Sequence, residues 1–529
     1  MANDHGDGFG PVRADRRAWL ARCARLGGQG LVMPLGLAGL VGCATTVQAG
    51  RESLPASGLA EPASSLLPPP GEPVPVHVPE VEQELLGEVG PTLIVAGRRD
   101  LPLVSVALRV RCGSAADPPG RSGCALLLSQ MLARGAMRQG RPVDGATLAR
   151  QAEALGGSIG TGVQDSQIWL EMTVMTPLLP QALALLVDLL RRPLLPPAEL
   201  QQVRAQALDG LGLRLQDPAL LAALVARRTV WGRSLHGAVP TPESLSAVRR
   251  GSAGEAPGVV WPGRESRAAG RGEALLTLHR RWFRPGRVAV VLTGDIDLAE
   301  ARALLRPMFA GWRIADAPMP HEMPSAPPQP LLPATLLIDL PRAAQTAVLV
   351  CAPHVALDAP DRRAGQMAAT VVGGGYSARL NQAVRIRRGL SYGADARIEQ
   401  QRAGGLFIAQ ARTAPRHAAE VVQLMRGRVL SPGREPPTPE ELAARRAALI
   451  GSLARRLDTD EGLNARLGEL WAQGIGLGEL HGFAAGIAGV EGADVQQFVQ
   501  RHWPAAALRT LVVGPLEAAG PTLAGLDPK

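Results

Sequence analysis

Arg385 and Tyr392 are the two side chains whose types and spacing could act together on a carbonyl group. An arginine offers a planar fork of donors that can anchor a carbonyl or carboxylate. A tyrosine hydroxyl can donate to an oxygen that gains charge when water attacks a carbonyl. The chain has only two tyrosines, Tyr376 and Tyr392, and both fall in one segment with Arg385. Spacing alone leaves plainer readings open, a solvated cation near a turn and a ring packed at a strand edge. The triple glycine Gly373-Gly374-Gly375 is no phosphate loop, because no Lys-Ser or Lys-Thr follows it. It reads as a tight helix end that turns the chain before Arg379. Other reactive groups are sparse. Nine histidines are spread out with no pair at metal-ligand spacing, and the five cysteines contain no C-x-x-C.

Two segments carry a family resemblance. Gly120-Arg121-Ser122-Gly123-Cys124-Ala125-Leu126-Leu127-Leu128-Ser129-Gln130-Met131-Leu132-Ala133-Arg134-Gly135 resembles the metal helix G-x-x-G-x-A-H-x-x-E-H-x-L-x-x-G of the insulinase (pitrilysin-like, mitochondrial-processing-peptidase-like) metallopeptidases. In that family the two histidines share one helical face and bind zinc, and the glutamate is the general base. Here Leu126, Ser129 and Gln130 stand at the ligand, base and ligand positions. Leucine has no lone pair for a metal, and serine is no base near neutral pH without a second group to deprotonate it. The family's downstream glutamate ligand falls near Gly210; Glu199 and Asp209 lie nearby but have no histidine partners. The segment from Gly373 to Tyr392 resembles the family's second signature, G-G-x-x-S-x-R-L-x-x-x-L-R-x-x-x-G-L-x-Y, with Val384 in place of the leucine. The resemblance implies that Arg385 and Tyr392 reach across to the zinc site and hold substrate.

Elements to position these residues are legible along the chain. Pro91–Ala96 and Leu103–Val110 are strand-like, Gly145–Leu155 reads as a helix stopped by Gly156-Gly157, and Gln167–Val174 reads as a strand. Leu178–Leu190 and Pro197–Leu213 read as helices, and Val288–Thr293 as a strand. After seven prolines within 314–333 the order repeats. Ala334–Ile338 and Thr346–Val350 are strand-like, a helix starts at Asp361, and Arg501-His502-Trp503 before Leu511–Gly514 echoes Arg280-Arg281-Trp282 before Val290–Gly294. Cys112 and Cys351 are expected at matching places, each ending a strand. The order predicts an α/β (α+β) chain of two homologous halves, each a sheet packed with helices. The resemblance adds that the halves enclose a clam-shell cavity.

The boundaries read as a signal peptide 1–42, a Pro-rich tether 43–84, a first half 85–313, a linker 314–333, a second half 334–518 and a tail 519–529. An insertion at 249–271 reads as a solvated loop, with a partner contact through Trp261 as the alternative. Arg13, Arg16, Arg17, Arg22 and Arg25 precede an apolar run too short to anchor a helix in a bilayer. Leu40-Val41-Gly42-Cys43 resembles a bacterial lipobox, which implies a lipid on Cys43. Arg16-Arg17 also resembles a twin-arginine export signal, and Ala44 after the cysteine points to the outer membrane. With Cys23 and Cys43 set aside, Cys112, Cys124 and Cys351 are left. The 46% hydrophobic and 19% charged composition of the 529 residues reads as globular. A charge of +9 over so large a surface is a modest bias, and no basic stripe with interleaved aromatics points to nucleic acid.

These readings predict a catalytically incomplete insulinase-like homologue, held by a lipid in the bacterial periplasm. It is expected to carry no metal or other cofactor itself and to pair with a zinc-bearing subunit as a heterodimer that hydrolyses peptides. The resemblance also implies that substrate binds as an added strand on a sheet edge. A pseudoenzyme scaffold with Arg385 and Tyr392 as relics is the alternative, and a self-sufficient hydrolase of different chemistry is a third.

Overall fold

Alternating and continuous apolar runs build two sheets of the same design. The computed structural model describes residues 13–14, 76–232, 234–248, 275–312 and 334–519. In the first half the strands are β2 (Glu82–Leu85), β3 (Thr92–Gly97), β4 (Leu103–Val110), β7 (Gly160–Val163), β8 (Ile168–Met175) and β9 (Val288–Gly294), in the order β2-β3-β9-β4-β8-β7. A hairpin of β5 (Gly135–Arg138) and β6 (Arg141–Asp144) stands apart. In the second half β10 (Thr335–Asp339), β11 (Thr346–His354), β12 (Ala394–Gln401), β13 (Gly404–Thr413) and β14 (Arg509–Gly514) run β10-β14-β11-β13-β12. The pairings match one for one. β3 with β9 and β10 with β14 are parallel, and the remaining neighbours among these eleven strands are antiparallel. The backbone of β1 (Arg13–Ala14) adds in parallel to β10.

Helices fill one face of each sheet. In the first half they are α1 (Cys124–Leu132), α2 (Gly145–Ala154), α3 (Leu179–Arg191), α4 (Pro197–Gln216), α5 (Pro218–Trp231), α6 (Pro242–Ala247), α7 (Leu275–Trp282) and α8 (Leu298–Phe309). In the second half they are α9 (Arg362–Gly373), α10 (Arg379–Asn381), α11 (Ala418–Arg434), α12 (Pro439–Asp458), α13 (Asp460–Ala472), α14 (Glu479–Ala488), α15 (Gly492–His502) and α16 (Leu516–Ala519). Leu93, Val95, Val104, Val106, Leu108 and Val110 face the helices of their own half. The alternate residues face the other way, as a pleat of period two requires.

What covers those other faces is the main surprise of the fold. Ile94, Ala96, Ala289 and Val291 of the first sheet pack with Leu463, Leu467, Leu470 and Trp471 of α13, a helix of the second half. Leu349, Cys351, Leu406, Ile408, Leu511 and Val513 of the second sheet pack with Ala222, Ala226 and Val230 of α5, a helix of the first half. Each half thus completes the other. Strands covered on both faces read as unbroken apolar runs, which is why β9 and β11 show so little alternation.

Polar contacts fix both straps. The amide of Asn464 on α13 donates to the carbonyls of Ser105 and Val291 at 3.0 and 2.9 Å. Arg111 donates to the Trp471 carbonyl and stacks over its ring at 4.3 Å. Asp217 caps α5 by accepting from the amides of Ala219 and Leu220, and it pairs with Arg412 of β13 at 3.0 Å.

The elements read from the sequence lie within a few residues of those observed, with one displacement. Cys112 does follow the end of β4, but Cys351 sits inside β11 and pairs with Arg509, the first residue of β14. By register its counterpart is Val110, which pairs with Val288, the first residue of β9. The two cysteines are therefore not equivalent; β11 simply continues past the point where β4 stops. Cys43, Arg16-Arg17, the insertion 249–271 and the linker 314–333 lie outside the described residues. No helix among the described residues is long and apolar enough to cross a membrane.

Candidate functional site

The helix α1 is held at its start by a buried carboxylate. Asp117 accepts from the amides of Gly123 and Ala125, both at 2.6 Å, satisfying donors that a helix terminus leaves unpaired. Burial nevertheless pushes its pKa up to about 7, against the lowering effect of those amides. Gly123, at φ +100°, makes the turn into the helix, a conformation that favours glycine. Along the helix Leu126 is half-buried, Ser129 is 1% exposed and Gln130 is exposed. The Ser129 hydroxyl donates to the Leu126 carbonyl at 2.8 Å, so it is spent on its own helix. Glu199 pairs with Arg134 at 3.6 Å, and Gly210 lies on α4 with open space around its α-carbon. The donor set does not fit a zinc ion, since the aligned positions offer a leucine, a committed hydroxyl, an amide and a glycine. Among the described residues no three His, Cys, Asp or Glu side chains come together in a way that could hold a metal.

The Arg385 segment is built differently. α9 ends in Gly373 and is followed by Gly374 and then Gly375 at φ +146°. A β-carbon on Gly373 would meet the Ala396 amide at 2.3 Å, so glycine lets the helix end close against β12. After α10 the chain widens into a π-helical turn over Gln382–Ile386, which displays Arg385. Leu390 donates its amide to the Val384 carbonyl, the Thr413 hydroxyl donates to the Leu390 carbonyl, and the Ala394 amide donates to the Asn381 side chain. These bonds pin both ends of the loop that carries Tyr392. The Arg385 guanidinium lies 5.0 Å from the ring centres of both Tyr376 and Tyr392. Tyr376 is 63% exposed and Tyr392 91% exposed. A cation within this distance of two rings is attracted by both. The structure thus gathers Arg385, Tyr392 and Tyr376 on the second half and keeps Leu126, Ser129 and Gln130 on a helix of the first.

A polar cluster between the halves carried no sequence signal. Asp165 accepts from the Ser114 hydroxyl at 2.7 Å, from Gln401 of the second half at 2.8 Å and from Arg227 of α5. His236 stands 3.7 Å away, its ring tilted against that of Trp231 with 4.9 Å between centres. Burial alone would raise the Asp165 pKa, but His236, Arg227 and Ser114 outweigh it and hold the carboxyl well below the usual range. The cluster lines a cavity of about 200 Å³ with Cys112, Arg287 and Gln473. Its members come from four separated stretches of sequence, so no local pattern could have revealed them. The Gln401 hydrogen bond and an ion pair of Arg227 with Glu399 of the second half at 3.5 Å tie the two halves together.

Comparison with known proteins places these features. Residues 95–214 match the model for "Insulinase (Peptidase family M16)", and residues 272–449 match that for "Peptidase M16 inactive domain". An uncharacterized zinc protease of Mycobacterium leprae is 25% identical over 69% of this chain and 76% of its own length. Another of Streptomyces coelicolor is 22% identical over 82% and 91%. A crystal structure of a peptidase M16 inactive domain from Pseudomonas fluorescens superposes with a TM-score of 0.67 at 22% identity, over 82% of this chain and 98% of that one. A protease structure from Helicobacter pylori gives 0.70 at 14% identity, over 82% and 100%. With two halves of one topology and both family segments in register, this chain belongs to the insulinase (M16) peptidase family, as a catalytically incomplete homologue whose metal helix carries Leu126, Ser129 and Gln130.

Proposed function

We propose that this chain is the non-zinc subunit of a heterodimeric M16 peptidase, lipid-anchored through Cys43 in the bacterial envelope. The observation that carries the reading is the contrast between the two halves. The metal-helix positions hold a leucine, an amide and a hydroxyl spent on its own helix, while Arg385, half-buried, keeps its guanidinium over the rings of Tyr376 and Tyr392. The zinc and its activated water belong to the partner subunit. This chain's part is to bind and orient. The Arg385 guanidinium anchors a peptide carbonyl or a terminal carboxylate, and the rings of Tyr376 and Tyr392 hold it in place. The Tyr392 hydroxyl donates to the carbonyl oxygen as it gains charge.

The test is peptide hydrolysis by the reconstituted pair, with assembly followed by gel filtration. Tyr392→Phe removes one oxyanion donor and little else, which costs about 10²–10³ in turnover. Arg385→Ala weakens substrate positioning, so its loss appears in kcat/KM and is only partly additive with Tyr392→Phe. If both variants assemble and cleave at the wild-type rate, the pair is a relic and the chain serves as a peptide-binding scaffold instead.

A further inference from the structure

Beside the turn that carries Arg385 lies an open cleft of about 450 Å³. Its walls come from the α10 segment, α11 and the first turns of α12, and four arginines line it: Arg379, Arg387, Arg428 and Arg445. Arg379 is neutralised. It forms a two-pronged pair with Glu441 at 2.9 and 2.8 Å and also donates to Ser431 and to the Glu435 carbonyl. The other three are not. The guanidinium groups of Arg387 and Arg428 have no hydrogen-bond or ion-pair partner among the described residues. Arg445 is 5% exposed, donates through one nitrogen to the Ser377 hydroxyl at 2.7 Å, and leaves its buried Nε without a partner.

A buried guanidinium donor with nothing to bond is costly to keep unless something fills the space beside it. Carboxylates do not fill it. Glu440 is engaged at its own helix terminus with its own amide and Thr438. Against its four arginines the lining sets Glu435, Glu440 and Glu441, so the cleft keeps a surplus of one positive charge. A phosphomonoester carries about −1.5 to −2 at neutral pH and presents three acceptor oxygens to arginine forks. The cleft has room for more than the phosphate alone.

We propose that this cleft binds a phosphate group carried by a small organic molecule or a lipid headgroup, with Arg387, Arg428 and Arg445 as its donors. Its lining includes none of Arg385, Tyr376 and Tyr392.

Glycerol 3-phosphate, titrated into the mature chain in a calorimeter at physiological salt, is the probe. The expected result is saturable one-to-one binding that Arg387→Gln and Arg428→Gln each weaken by about tenfold or more. Arg141→Gln, on the exposed β5–β6 hairpin, should leave binding unchanged. Thermal unfolding of the two cleft variants, both altered at solvent-accessible side chains, should match wild type. Vesicles containing phosphatidylglycerol form a second arm. Sedimentation with them that is lost in Arg387→Gln/Arg428→Gln supports the same site with a lipid source. No binding in either arm, or equal binding by wild type and the double variant, overturns the proposal.

Discussion

At the scale of single residues, what separates this chain from a zinc peptidase is a handful of side chains on an intact frame. Leu126, Ser129 and Gln130 replace lone-pair donors and a base, and Ser129 spends its hydroxyl on Leu126. The purified mature protein is therefore expected to hold no stoichiometric zinc and to cleave no peptide alone. Elemental analysis finding one tightly held zinc per chain, with proteolysis abolished by a chelator, would overturn this. These substitutions were legible in the sequence because the family pattern fixes each residue's place on the helix. The grouping of Arg385 with Tyr376 and Tyr392 was half legible. Its members stood out by rarity and spacing, but nothing in the spacing shows that two rings sixteen residues apart meet one guanidinium. Asp165 was not legible at all, because its partners at 114, 227 and 401 meet only in three dimensions.

At the scale of elements, α1 depends on Asp117, and the cap makes a pH-dependent prediction. The Asp117 pKa of about 7 in the folded chain lies above its ordinary 3.8. The folded state then binds the extra proton between those values, and this group's contribution to stability falls as pH rises from about 4 to about 7. The difference corresponds to as much as about 4 kcal/mol. His279 and His354, both buried and depressed by burial to about 4, act in the opposite sense. The unfolded chain protonates them first, so their contribution is lost as pH falls from about 6.5 to about 4. Asp117→Asn removes only the first slope. Urea unfolding across pH 4 to 7 should then show the variant gaining stability with pH more steeply than wild type; parallel curves would refute the assignment. Helix and strand positions were broadly legible from apolar periodicity, but which sheet a helix covers was not. α5 and α13, the two helices that cross over, were not among the elements read from the sequence, and periodicity carries no address.

At the scale of the whole molecule, exchange of α5 and α13 makes the halves interdependent. Chains covering 76–312 and 334–519, made separately, should be poorly soluble alone and form a stable one-to-one complex when coexpressed. Two soluble, monomeric halves would show that the straps are dispensable. The proposed lipid anchor is tested at this scale too. Cys43→Ser should abolish fatty-acid labelling and release the protein from the membrane fraction, and unchanged labelling would show the lipobox match to be fortuitous.

The strap formed by α13 also sets a timetable. The inner face of the first sheet, with Ile94, Ala96, Ala289 and Val291, is sealed by residues 463–471. During synthesis that face stays uncovered until almost nine-tenths of the chain has been made. A sheet with one bare apolar face is a template for wrong pairing while it waits. The first half, although first off the ribosome, is thus among the last parts of the molecule to be finished, and a nascent chain arrested before residue 460 is the form most in need of a chaperone.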